Sequence, residues 1–140
     1  MASSKGVVIK YESYPHEHSS KRPAIRIKFD ESSKQSFLCL LDSGADTSIF
    51  PLSIGKKLGI DFSECDPVEN PPEQMIGKIK AKCYKKAVGI YGPWDKETIS
   101  LEILWIDSNE VYQVLGRKGF FDKFKEVVFC EEKKKIILRM

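Results

Sequence analysis

Phe37-Leu38-Cys39-Leu40-Leu41-Asp42-Ser43-Gly44-Ala45-Asp46-Thr47-Ser48-Ile49-Phe50 is an apolar run that ends on a carboxylate and breaks at once into turn residues. Phe37 to Leu41 has the length and composition of a buried strand, and Ser43-Gly44 supplies the small, turn-forming residues that stop it. The pattern therefore delivers Asp42 to the end of an apolar strand, at the mouth of a tight turn.

Short elements of the same kind extend in both directions. On the N-terminal side, Val7 to Tyr11 reads as a strand, Ser13 to Pro23 as a polar loop, and Ala24 to Phe29 as a half-exposed strand with period-2 alternation, followed by a turn over Asp30 to Lys34. Downstream, Ile49-Phe50 resumes the apolar pattern. Pro51 is suited to start a brief helix, with Leu52 and Leu58 facing inward and Gly59 at its C-terminal cap. Asp61 to Glu73 is rich in proline and acid, and Gln74 to Lys86 alternates like a hairpin or long strand. Val88 to Tyr91 and Thr98 to Ile106 are two further strands, separated by a Gly92-Pro93 turn. Tyr112 to Leu115 is a short apolar strand before Gly116-Arg117, and Lys118 to Phe124 suits one or two helical turns with three phenylalanines facing the core. Lys125 to Cys130 and Lys135 to Met140 read as a closing hairpin. Many short strands with two brief helices make an all-β barrel or sandwich the expected class.

The 140 residues suit one domain spanning 1–140, and 41% hydrophobic content provides for a core. The formal net charge is +3, and basic residues alternate with acidic ones instead of forming a stripe, which argues against a nucleic-acid partner. The first residues lack the long apolar run of a signal peptide, and no stretch approaches the roughly 18 apolar residues that span a bilayer. The expectation is a soluble cytoplasmic protein with no membrane partner. Cys39, Cys65, Cys83 and Cys130 are widely spaced and read as reduced structural thiols; no metal and no cofactor is expected. His16-Glu17-His18 lacks the further ligands of a zinc site. The lysine pairs read as solubilising faces. Phe120, Phe121, Phe124 and Phe129 read as core, as does Trp105 within Ile103 to Ile106, while the turn position of Trp94 is compatible with exposure.

Leu40-Leu41-Asp42-Ser43-Gly44-Ala45 resembles the signature of the retropepsin-like aspartic proteases, in which two apolar residues precede Asp-Thr-Gly or Asp-Ser-Gly and then alanine. Val114-Leu115-Gly116-Arg117 resembles the second segment of that family, an apolar pair followed by Gly-Arg and a helix. The resemblance covers the chain from Ala24 onward and implies a closed barrel of the acid-protease type, active as a homodimer. It implies a catalytic turn of Asp42, Ser43 and Gly44, with Ser43 keeping the hydroxyl that braces the loop across two subunits. Gly44, lacking a side chain, lets the backbone approach substrate and partner. It further implies that Ala45, Asp46, Gly116 and Arg117 form the substrate and dimer contacts, with Arg117 gripping the Asp46 carboxylate in two-pronged fashion. A flap hairpin is expected around Ile76, Gly77 and Lys78. It has a single glycine where the family carries several.

One Asp-Ser-Gly in one chain has a chemical consequence. Water activation in this class needs two carboxylates that share a proton and titrate as a unit, so the second Asp42 has to come from a two-fold related copy. The expected activity is endopeptidase cleavage of a peptide or protein substrate bound as an extended strand. The alternative is a peptide-binding or assembly module of the same fold with little or no turnover.

Overall fold

The computed structural model describes residues 6–14, 20–68, 81–94 and 98–140. Its elements, in chain order, are β1 (Val7–Lys10), β2 (Ala24–Ile27), β3 (Phe37–Leu41), β4 (Ser48–Pro51), α1 (Leu52–Lys57), β5 (Cys83–Ile90), β6 (Ile99–Ile106), β7 (Val114–Leu115), β8 (Glu126–Cys130) and β9 (Lys135–Arg139), with a 3-10 turn at Phe121–Lys123. The mostly-β class and the two brief helical pieces agree with the sequence reading.

The strands form two sheets, a six-stranded one in the order β2-β3-β7-β4-β6-β5 and a three-stranded one in the order β1-β9-β8. The closed barrel expected from the sequence is not observed. Edge strands β2 and β5 touch just beyond their ends, where Lys28 and Tyr91 exchange two main-chain hydrogen bonds of 2.8 Å. The ladder goes no further for local reasons. After Phe29 the chain enters a turn in which the Asp30 carboxylate accepts from the Ser32 N–H, and after Tyr91 it meets Gly92-Pro93, where proline has no N–H to give.

Gln74 to Lys86 and Val88 to Tyr91 are separate segments in the sequence reading; residues 74–80 lie outside the described residues, and from Cys83 the first joins the second as one strand, β5, that ends at Ile90. All eight residues of β5 pair with β6, from Cys83 opposite Ile106 to Ile90 opposite Ile99. An antiparallel partner of equal length overrides the weak break at Ala87.

The pleat sorts the six-stranded sheet into two faces. Ile25, Cys39, Leu41, Leu115, Phe50 and Trp105 lie on one face and build the main core, together with Ile136 and Leu138 from the three-stranded sheet. Phe29, Phe50, Phe62 and Trp105 pack edge-on or tilted, the Phe29 and Phe50 rings at 5.3 Å and Phe62 and Trp105 at 5.5 Å. Each fully buried side chain of this size contributes about 1.5–3 kcal/mol relative to exposure. Trp94 belongs to this core, with 5% of its surface exposed and its ring against Phe120 and Phe124, so the exposure allowed by its turn position is not realised. Phe129, expected inside, is 36% exposed at the edge strand β8, where it leans on Phe121.

Helix α1 lies flat against the aromatic layer because Gly55 leaves room for it. A Cβ there would sit 2.7 Å from the Phe62 ring. The helix ends in a Schellman arrangement: Gly59, at φ +79°, donates to the Lys56 carbonyl and Ile60 donates to that of Gly55. The three-stranded sheet is pinned at its hairpin, where Tyr11 donates its hydroxyl to Glu131 Oε2 at 3.2 Å and its N–H to the Lys134 carbonyl at 2.9 Å.

Candidate active site

Strand β3 and strand β4 are consecutive in sequence but not neighbours in space. Between them lies β7, parallel to β3 and antiparallel to β4, so the Asp42 turn arches over the end of a strand contributed by a segment some seventy residues away. Within the arch, the Asp42 N–H donates to the Leu115 carbonyl at 3.1 Å, extending the β3–β7 ladder by one residue. The Ala45 N–H donates to the Asp42 carbonyl at 3.1 Å and closes the turn. The Gly44 N–H donates to Asp42 Oδ1 at 2.8 Å and orients the carboxylate. From the other side, the Leu41 N–H donates to the Pro23 carbonyl and the Leu40 N–H to that of Gln113.

The Gly-Arg segment closes around the same turn. Arg117 and Lys118 donate their N–H groups to the carbonyls of Ala45 and Asp46 at 2.8 and 2.9 Å, and Gly116 donates to the Ser48 hydroxyl at 3.0 Å. Gly116 has to be glycine for this contact. A Cβ there would lie 2.7 Å from the Thr47 carbonyl oxygen and 2.8 Å from that of Ala45. The two motifs singled out in the sequence are thus brought together by the fold.

Side-chain alternation decides which way the carboxylate faces. Leu40 stands abreast of Val114, Val114 of Ile49, and Ile49 of Leu104, so these four share a face. Asp42, two residues beyond Leu40, continues on that face, opposite the main core. Buried Ile49, Leu104, Ile106 and Cys83 form a small apolar cluster there, flanked by partly exposed Val68, Ala81, Val111 and Val114. The half-buried carboxylate therefore stands at the end of an apolar strip that is open at its margins.

Ser43 and Gly44 are exposed, Ala45 is half-buried, and Gly116 is buried. Asp46 and Arg117 face solvent; their segments are joined by main-chain bonds, and no ion pair between their side chains is formed within the chain. The flap residues Ile76, Gly77 and Lys78 lie outside the described residues, as do His16 and His18. Among the described residues no group of three or more His, Cys, Asp or Glu side chains could hold a metal, and no helix is long and apolar enough to cross a membrane. Burial pushes the Cys39 thiol well up and the Cys83 thiol up, so neither is an activated nucleophile. Sequence reasoning missed Ser48, whose signal would have been a small hydroxyl residue opening the otherwise apolar Ile49-Phe50-Pro51 run.

No protein-family model and no curated protein matches the chain. Solved structures do. The chain is similar to a retropepsin-like aspartic protease from Rickettsia conorii, at 14% identity and TM-score 0.58 over 82% of this chain and 80% of that one. It is similar to the retroviral protease-like domain of Ddi1 from Leishmania major, at 10% identity and TM-score 0.58 over 86% and 90%. It is also similar to the EIAV protease complexed with the inhibitor HBY-793, at 22% identity and TM-score 0.50 over 80% and 94%. Asp42 stands at the end of a central strand, and the Gly116-Arg117 turn is locked beneath it, within a chain that has the retropepsin-like fold.

Proposed function

We propose that the chain is one half of a homodimeric aspartic endopeptidase in which two Asp42 carboxylates meet across a two-fold axis. The observation that carries this reading is the presentation of Asp42. Its main chain is tied to β7, its Oδ1 accepts from Gly44, and its carboxylate shares a sheet face with an apolar strip. One such carboxylate cannot both take and give a proton in the same step. Two of them a few ångströms apart cannot both ionise readily, so the pair keeps one proton between them.

In that arrangement the ionised Asp42 takes a proton from water as the oxygen attacks the peptide carbonyl carbon. The protonated Asp42 gives its proton to the carbonyl oxygen. The tetrahedral diol then collapses: the C–N bond breaks, the amine leaves with a proton, and a carboxylic acid remains. The apolar strip of Val111, Val114, Ile49 and Leu104 would receive apolar side chains of an extended peptide. Ser43, Gly44 and Ala45 belong to the catalytic turn, and Asp46 and Arg117 remain available to the partner copy, where their two-pronged pairing would stiffen the interface. A flap around Ile76, Gly77 and Lys78 would close over the peptide.

Digestion of a peptide library by the purified chain, compared with Asp42→Asn, tests the reading. The amide oxygen of Asn can still accept from Gly44, so this variant should fold and dimerise but cut nothing. Activity should also fall on dilution through the dimer dissociation constant. Equal cleavage by Asp42→Asn would refute the proposal, and tight peptide binding without any cleavage by the wild type would favour a non-catalytic binding module.

A further inference from the structure

We infer that Ser48 is a positioning residue of the Asp42 site, an assignment that rests on the proteolytic reading. Among the described residues Ser48 is the one polar side chain in the fully buried set, with none of its surface exposed. Its hydroxyl oxygen accepts the Gly116 N–H at 3.0 Å, across 68 positions of sequence. The bond has a particular geometry. The Gly116 N–H and the Leu115 carbonyl belong to the same planar peptide unit and point in opposite directions. The Leu115 carbonyl accepts the Asp42 N–H at 3.1 Å.

One rigid plane is therefore held at both edges, by Asp42 on one side and by Ser48 on the other. Tilting it moves the main chain from which the carboxylate hangs. The nearby carbonyls of Ala45 and Asp46 accept from Arg117 and Lys118, and the Gly116 N–H is given to the Ser48 oxygen instead. The three groups form a hydrogen-bonded chain in which each bond polarises the next, and Leu115, Gly116 and Ser48 within it are buried. Removing the hydroxyl leaves a buried N–H without a partner. The strand that carries Ser48 does not depend on the hydroxyl, since β4 pairs with β6 through its main chain, with Ser48 opposite Ile103.

Ser48→Ala should therefore keep the fold and the dimer, and should bind peptide with an unchanged KM. Its kcat should fall on the order of tenfold, equivalent to about 1.4 kcal/mol, and Ser48→Thr, which keeps the oxygen, should recover most of the loss. Amide exchange by NMR should show the Asp42 and Gly116 N–H groups exchanging faster in Ser48→Ala, while amides of the β8–β9 hairpin do not change. A folded Ser48→Ala with wild-type kcat overturns the assignment, as does a lower melting temperature with unchanged kcat well below it. The exchange measurement needs no substrate. If the wild type cleaves nothing, the proteolytic reading fails separately, and unchanged exchange at Asp42 in Ser48→Ala would still refute the coupling.

Discussion

Replacing Gly116 by alanine tests the architecture of the site without requiring any activity. The added Cβ would meet the Thr47 carbonyl oxygen at 2.7 Å, the Ala45 carbonyl oxygen at 2.8 Å and the Thr47 carbonyl carbon at 2.8 Å. All three are main-chain atoms, so no side-chain rotation relieves the contact, and the two segments must separate by roughly half an ångström to reach ordinary packing distances. Overpacking of this kind costs about 1–3 kcal/mol. The separation also stretches bonds, because the Ala45 carbonyl in the clash is the one that accepts the Arg117 N–H at 2.8 Å, and the Gly116 N–H itself donates to Ser48. At about 1 kcal/mol for a weakened bond, the total is roughly 3 kcal/mol. For a domain of this size that is a fall in Tm of about 10 °C. The control is Gly59→Ala, where φ is +79° and no atom stands within 4 Å of the new Cβ, so only the left-handed backbone is penalised, at about 1–2 kcal/mol. Chemical denaturation of both variants at matched protein concentration gives the comparison. If Gly116→Ala is no less stable than Gly59→Ala, the tight clasp between the two motifs is wrong.

Glu131 is held below the usual carboxylate range by its bond to Lys134, with a further contribution from the Tyr11 hydroxyl. The unfolded chain therefore takes up this proton first on acidification, so the contribution of Glu131 to stability is present above about pH 4.3 and is lost as pH falls through its lower folded value. Glu131→Gln should flatten that part of a stability-versus-pH curve, and an unchanged acid slope would contradict the role of the Tyr11–Glu131–Lys134 pin. Alkylation of the native protein with iodoacetamide should modify Cys65 and Cys130, which are partly exposed, before the buried Cys39 and Cys83. Mass spectrometry showing early modification of Cys39 would refute its placement at the centre of the core. In the proteolysis assay, Asp42→Asn should remove cleavage while leaving the circular dichroism spectrum unchanged.

The elements legible in the sequence are those whose signals are local. The five apolar residues ending at Asp42 form β3, Pro51 and Gly59 bracket α1, and the Glu131-Glu132-Lys133-Lys134 stretch turns the closing hairpin. What the pattern does not carry is pairing order. Val114-Leu115 is two residues long, and nothing local to it states that it inserts between β3 and β4. The open sheet edges were hidden for a similar reason: the turn after Phe29 and the Gly92-Pro93 break are each readable, but that they fall beside one another at Lys28 and Tyr91 is a tertiary fact. Trp94 was ambiguous because its burial depends on Phe120 and Phe124, which arrive from far along the chain.

The same distinction separates what was visible at the site from what was not. Asp42 and Gly116-Arg117 could be picked out because their residue types are themselves the chemistry or the steric requirement. Ser48 could not, because it matters only through the partner that the fold gives it. Most bonds of the clasp run between main-chain groups, from Asp42 to Leu115, Arg117 to Ala45 and Lys118 to Asp46. Such bonds place no demand on side chains, and the side chains of Ser43 and Asp46 in the turn stay exposed. The precision of the carboxylate then depends on very few residues: a glycine thin enough to let two main chains touch, and one buried hydroxyl that holds the far edge of the peptide plane.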